Sequence, residues 1–184
     1  MLRVMGGETW VLGNDTENIL VLDDQGAVLN EIGRGPAYMR KPHGFDVTND
    51  GLLYVALSPS MPGRGLIQSW DVSLGRPVGE FAPHGEVEDG TSVTIMPDET
   101  LIVADWFGNQ VLRYDRHTGE NIEVVLDASD GLEQPISVTV GGDETLYILD
   151  GAGVIRLDDT GSKRIVDGKH QGLDWARGIT AVKW

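Results

Sequence analysis

Apolar residues along this chain come in short runs bounded by turns, a pattern of strands rather than of long helices. Four runs share one layout: Trp10-Val11-Leu12, Leu53-Tyr54-Val55-Ala56, Leu101-Ile102-Val103-Ala104 and Leu146-Tyr147-Ile148-Leu149. They recur about 45 residues apart, the spacing of a repeat architecture. A second run follows each and ends in aspartate: Leu20-Val21-Leu22-Asp23, Gln68-Ser69-Trp70-Asp71, Leu112-Arg113-Tyr114-Asp115 and Ile155-Arg156-Leu157-Asp158. Gly26, Gly75, Gly119 and Gly161 come shortly after those aspartates. A strand ending in Asp and then Gly predicts a hairpin, with the carboxylate capping turn N–H groups and glycine supplying positive φ.

A further run precedes each first anchor: Leu2-Arg3-Val4, Phe45-Asp46-Val47-Thr48, Val93-Thr94-Ile95 and Val138-Thr139-Val140. Another follows each glycine turn, at Ala27-Val28-Leu29, residues 77–81, residues 122–126 and Arg164-Ile165-Val166. Four short antiparallel strands per repeat predict an all-β fold, a β-propeller of four-stranded blades. A β-sandwich is the main rival, but it has no reason to repeat Asp-then-Gly four times at one spacing. The expected organisation is a single domain over 1–184, with repeats at 1–41, 42–89, 90–134 and 135–176. Arg177-Gly178-Ile179-Thr180-Ala181-Val182 matches the first-strand runs, so residues 177–184 are expected to add an innermost closing strand. That strand either completes the N-terminal blade or leaves an open arc of a six- to eight-bladed ring. An arc exposes apolar blade faces and needs a homodimer or a missing chain to cover them.

Composition narrows the function classes. Glycine accounts for 25 of 184 residues, consistent with dense turns. The absence of cysteine excludes disulfides, thiolate metal sites and a cysteine nucleophile. Fourteen basic against 29 acidic residues give a net charge of −15, which disfavours a nucleic-acid partner. No stretch approaches the ~20 apolar residues of a membrane span, and the N-terminal residues lack the apolar core of a secretory signal. Eighteen aspartates against four lysines suit an extracellular or saline setting.

The stretch Val103-Ala104-Asp105-Trp106-Phe107-Gly108-Asn109-Gln110-Val111-Leu112-Arg113-Tyr114-Asp115 resembles an NHL repeat. Residues 49–56 and 143–150 are similar to the "DG.LYV.D" stretch shared by NHL propellers and the gluconolactonase/senescence-marker family. The resemblance implies the propeller architecture; its members include enzymes, RNA binders, scaffolds and sensors. Pro42-His43-Gly44 resembles the "PNG" step of gluconolactonase-like propellers, whose Asn coordinates a divalent metal. It also resembles the "PH" step of the NHL-type amidating lyase, whose His binds zinc. The chain departs from the first pattern at Leu57-Ser58, where that family places a metal-ligating Asp. The second needs further histidines near the axis, and His84 and His170 lie in equivalent connections.

In a propeller the loops after second strands and before first strands open on one axial face. That placement nominates His43, Asp105 and Asp150 as ligands of a divalent metal, calcium or zinc. It nominates Asn14, Ser58, Asp89, Trp106, Gln134 and Arg177 as binding residues. The competing role for the aspartates is turn capping. Ser58, Ser60 and Ser129 lack the surroundings of a catalytic triad, and the Gly-Gly pairs precede strands, so they are not phosphate cradles. The leading expectation is a module that binds a protein or small ligand on its axial face. The alternatives are a metal-dependent, lactonase-like hydrolase or lyase, and a fragment of a larger ring.

Overall fold

The computed structural model describes residues 1–34, 39–58, 66–81, 86–168 and 176–181. Sixteen strands form four sheets, each an antiparallel meander of four consecutive strands. Blade one holds β1 (Leu2–Met5), β2 (Glu8–Gly13), β3 (Asn18–Leu22) and β4 (Val28–Ile32). Blade two holds β5 (Pro42–Val47), β6 (Leu52–Leu57), β7 (Leu66–Asp71) and β8 (Arg76–Phe81). Blade three holds β9 (Gly90–Ile95), β10 (Thr100–Asp105), β11 (Gln110–Asp115) and β12 (Asn121–Leu126). Blade four holds β13 (Ser137–Val140), β14 (Leu146–Asp150), β15 (Gly153–Asp158) and β16 (Gly161–Asp167). A short 3-10 turn, Ala128–Asp130, lies between blades three and four. The chain is an all-β propeller of four blades.

The hairpins after the third strands form by the expected chemistry. Asp23 Oδ1 accepts from the N–H groups of Gln25 and Ala27, Asp71 Oδ1 from Leu74, Asp115 Oδ1 from His117 and Thr118, and Asp158 Oδ1 from Thr160. The glycine of each turn has positive φ, from 60° at Gly75 to 107° at Gly161. The Ser73 hydroxyl holds Asp71, and the Thr160 hydroxyl Asp158, below the usual carboxylate range ahead of the backbone N–H groups, whereas for Asp115 the N–H groups of Thr118 and His117 lead.

Blades stack through three apolar cores. Trp10, Leu12, Ile19 and Val21 of blade one meet Phe45, Leu53, Val55 and Trp70 of blade two. Tyr54, Ala56 and Ile67 meet Val93, Leu101, Val103 and Tyr114 across the second interface. Ile102, Ala104 and Val111 meet Val138, Ile148 and Ile155 across the third. A closed ring of four blades needs four such interfaces, and among the described residues no comparable packing joins blade four to blade one. The described residues thus show three interfaces for four blades.

The inner strands lie so close that Gly44 is required: a Cβ there would stand 2.6 Å from Ser92 Cα. They share one register, which their pairings with the second strands define. At one level the Ser92 hydroxyl accepts from Val138 N–H at 3.2 Å, one blade further on. The Ser137 hydroxyl accepts from Ile179 N–H at 3.4 Å in the same way. Ile179 thus stands to blade four as Val138 stands to blade three. The expected closing strand does not form over residues 176–181, which carry no strand assignment and belong to none of the four sheets; the Ile179–Ser137 bond ties them to the start of β13. The first strand of blade one is β1, so the C-terminal segment does not complete that blade. Residues 182–184 lie outside the described residues.

Candidate functional site

Inner strands β5 and β9, the residue before β13 and the segment 176–181 bring His43, Thr91, Ile136 and Arg177 to the axial mouth. These four side chains line a cleft of about 750 Å³, which Met1, Arg3, Asn14, Asp89, Trp106 and Ser137 also border. Five of the nine nominated residues are therefore gathered: Asn14, His43, Asp89, Trp106 and Arg177.

Asp89 is held from both sides. Its N–H donates to Asp105 Oδ1 at 2.8 Å, and its carbonyl accepts from Trp106 N–H at 2.9 Å. The residue is 8% exposed, and its Oδ1 is buried and accepts no hydrogen bond. Trp106 is half-buried and packs edge-to-face on Phe107, with ring centroids 4.6 Å apart. His43 is exposed to the cleft, and partial desolvation lowers its pKa below the usual 6.5. The Asp89 carboxylate opposes that shift, while Lys41 and Arg177 add to it. Asn14 reaches across to blade two and donates to the Pro42 carbonyl at 2.9 Å.

Asp105 and Asp150 end equivalent strands, and both are fixing the loop that leads into their own blade. Asp105 is fully buried and accepts from the N–H groups of Glu88, Asp89 and Gly108 and from Gln110 Nε2, at 2.8–3.2 Å. Gly108 has to be glycine, because a Cβ would lie 2.1 Å from Asp105 Oδ2. Asp150 accepts from Glu133 N–H at 2.9 Å and Ala152 N–H at 3.0 Å, and makes a bidentate pair with Arg164, both bonds 2.7 Å. The donors around both carboxylates are those of turn capping.

No three His, Asp or Glu side chains converge as a metal site among the described residues. His43, Asp105 and Asp150 are not brought together as a ligand set, and with both carboxylates committed to N–H donors they do not fit a shared cation. Ser58 uses its N–H for the Lys41 carbonyl at 3.1 Å, and Gln134 has left-handed backbone with its N–H on Asn109 Oδ1; neither lines the cleft. His84, His170 and loop residues 59–65 lie outside the described residues.

Two features escaped the sequence reading. Arg3 borders the cleft from β1 and faces Asp46, the residue at its own level in blade two, across 3.6 Å. The signal was a charged residue inside a strand run whose neighbours point to the axis. The second is a staple between blades. Asn109, at φ 51°, bonds the N–H of Gln134 and the carbonyl of Leu132, and Glu17, at φ 53°, accepts from Lys41 N–H at 3.2 Å. The Asn of the NHL-like stretch therefore ties one blade to the next.

No family model matches the chain, and no curated protein matches it. Among solved structures it is similar to a streptogramin B lyase, at 22% identity and TM-score 0.70, over 100% of this chain and 58% of that one. It is similar to virginiamycin B lyase from Staphylococcus aureus, at 20% identity and TM-score 0.68, over 98% of this chain and 59% of that one. The shared fold is the β-propeller. Hydrazine synthase of Kuenenia stuttgartiensis shares it as well, at 18% identity and TM-score 0.67, over 88% of this chain and 47% of that one. The chain thus spans less than two thirds of each of these relatives, and the lyase is a seven-bladed ring.

Proposed function

We propose that this chain is a β-propeller binding element that takes a small molecule, or a side chain of a protein partner, into the mouth of its axial cleft. The observation that carries this reading is the convergence of four side chains on the cleft. Inner strands β5 and β9, the residue before β13 and the segment 176–181 bring His43, Thr91, Ile136 and Arg177 around one concave space of ligand size, beside an aromatic wall and a buried carboxylate. The activities of the lyases are not carried over, because an identity of 22% or less supports the fold alone. A fragment screen followed by NMR tests the reading. Hits should shift the His43 imidazole and Trp106 indole signals and be lost in the Trp106→Ala and His43→Ala variants. Hits that bind without touching those signals, or no hits, would reject it.

A second reading concerns assembly: the four blades are part of a larger ring. It is favoured by three interfaces for four blades, by the seat of Ile179 against Ser137, and by coverage of 58% of a seven-bladed relative. Light scattering on the purified chain tests it. Self-association through the open flanks is expected, and a monomer whose residues 177–181 are strongly protected from amide exchange would count against it.

A further inference from the structure

Resting on the axial-cleft reading, we infer that the group recognised there is a primary ammonium carried on an aromatic or apolar body, with the Asp89 carboxylate as its anionic anchor and Trp106 as its wall. Asp89 is more than nine-tenths buried, and its Oδ1 accepts no hydrogen bond. A buried carboxylate without a donor is costly, and a charged N–H donor from outside relieves that cost. The position is built rather than incidental. Asp105 and the Trp106 N–H grip the Asp89 backbone from both sides, and Asp105 is in turn saturated by four donors.

The other charges of the cleft do not fill this role. The Arg3 charge is balanced by the Asp46 carboxylate at 3.6 Å, although its Nε and Nη2 are buried without a hydrogen-bond acceptor. Burial lowers the His43 pKa, and no hydrogen bond joins its ring to the Asp89 carboxylate. Arg177 is exposed at the level of His43 and draws anionic ligands by the same logic, so the competing class is a carboxylate. Asp89 decides for the cation because its burial makes the missing donor expensive, whereas the exposed Arg177 is hydrated. Trp106 adds an indole face, to which an ammonium is attracted.

The test uses three probes of one shape on the intact chain: 2-phenylethylamine, 2-phenylethanol and phenylacetate. Binding is followed by calorimetry and by the Trp106 indole and His43 imidazole resonances, assigned with Trp106→Phe. The amine is expected to bind at least tenfold more tightly than the alcohol, and Asp89→Asn to remove that preference while leaving the alcohol's affinity within twofold. Should Asp89→Asn fail to fold, the amine-to-alcohol ratio in the unaltered chain and its loss in high salt carry the same decision. Equal or tighter binding of the alcohol or phenylacetate, with both resonances shifting, would overturn the ammonium assignment and leave the cleft reading standing. If no probe binds but the fragment screen finds cleft ligands, the assignment fails alone. If neither finds any, both fail.

Discussion

Blade one and the two interior blades are built from the same strand pattern but live in different environments. In β6 and β10 every residue after the first is buried, because blades two and three have a neighbour on each face. In β2 the burial alternates: Trp10 and Leu12 are buried, while Thr9 and Val11 are only half-covered. On that outer face β1 presents Leu2, 59% exposed, and Val4, 70% exposed. The strand-closing position differs too. Blade three has Asp105, whereas blade one has Gly13, and the space beside it is taken by Thr16 and Asn18, with Thr16 Oγ1 2.0 Å from where a Cβ would stand. An interior blade needs apolar residues on both faces, whereas blade one manages with one; the closing carboxylate does not follow that division, since interior blade two ends β6 in Leu57 and flanking blade four ends β14 in Asp150.

The sharpest way to break this contrast is a pair of truncations. Trp70→Ala, in blade two, empties a fully buried indole site and should cost about 3–5 kcal/mol by urea denaturation. Leu20→Ala, on the half-covered face of blade one, should cost less than about 1 kcal/mol. Equal losses would mean that blade one is covered in solution. Next come the carboxylates. Asp150→Ala strands Arg164 and two N–H groups, and should cost roughly 3 kcal/mol. Asp105→Asn should lower the melting temperature whether or not calcium or zinc is added. A metal-dependent shift of the unaltered chain that vanished in this variant would restore Asp105 as a ligand.

Gly44→Ala tests the close approach of inner strands and should destabilise by about 1–3 kcal/mol, since backbone, not a flexible side chain, lies in the way. Val4→Lys on the open flank should leave stability within about 0.5 kcal/mol and reduce self-association in light scattering. The smallest effect is electrostatic. By NMR the His43 pKa should lie below 6.5, rise in Arg177→Gln, and fall further in Asp89→Asn. Because the folded value is the lower one, His43 contributes stability above pH 6.5 that is lost as pH falls through the folded pKa.

Much of this was legible in the sequence. The Asp-Gly hairpins are local: each carboxylate caps N–H groups two to four residues on, so residue identity and spacing suffice. The axial mouth was legible from strand order alone, which is why Asn14, His43, Asp89, Trp106 and Arg177 could be nominated. The roles of Asp105 and Asp150 were not. An aspartate after a strand reads alike whether it faces a cation or the N–H groups of a loop some 16 residues away.

The sequence by itself determined the strand order, the four blades and the turn chemistry, because period-two burial and turn capping act between residues near one another in the chain. Tertiary structure alone decided which faces of the four blades meet, that Ile179 bonds Ser137, and that Asp89 is buried without a donor. Those outcomes depend on how each blade is rotated against the next, and they are set by contacts between residues about 45 positions apart.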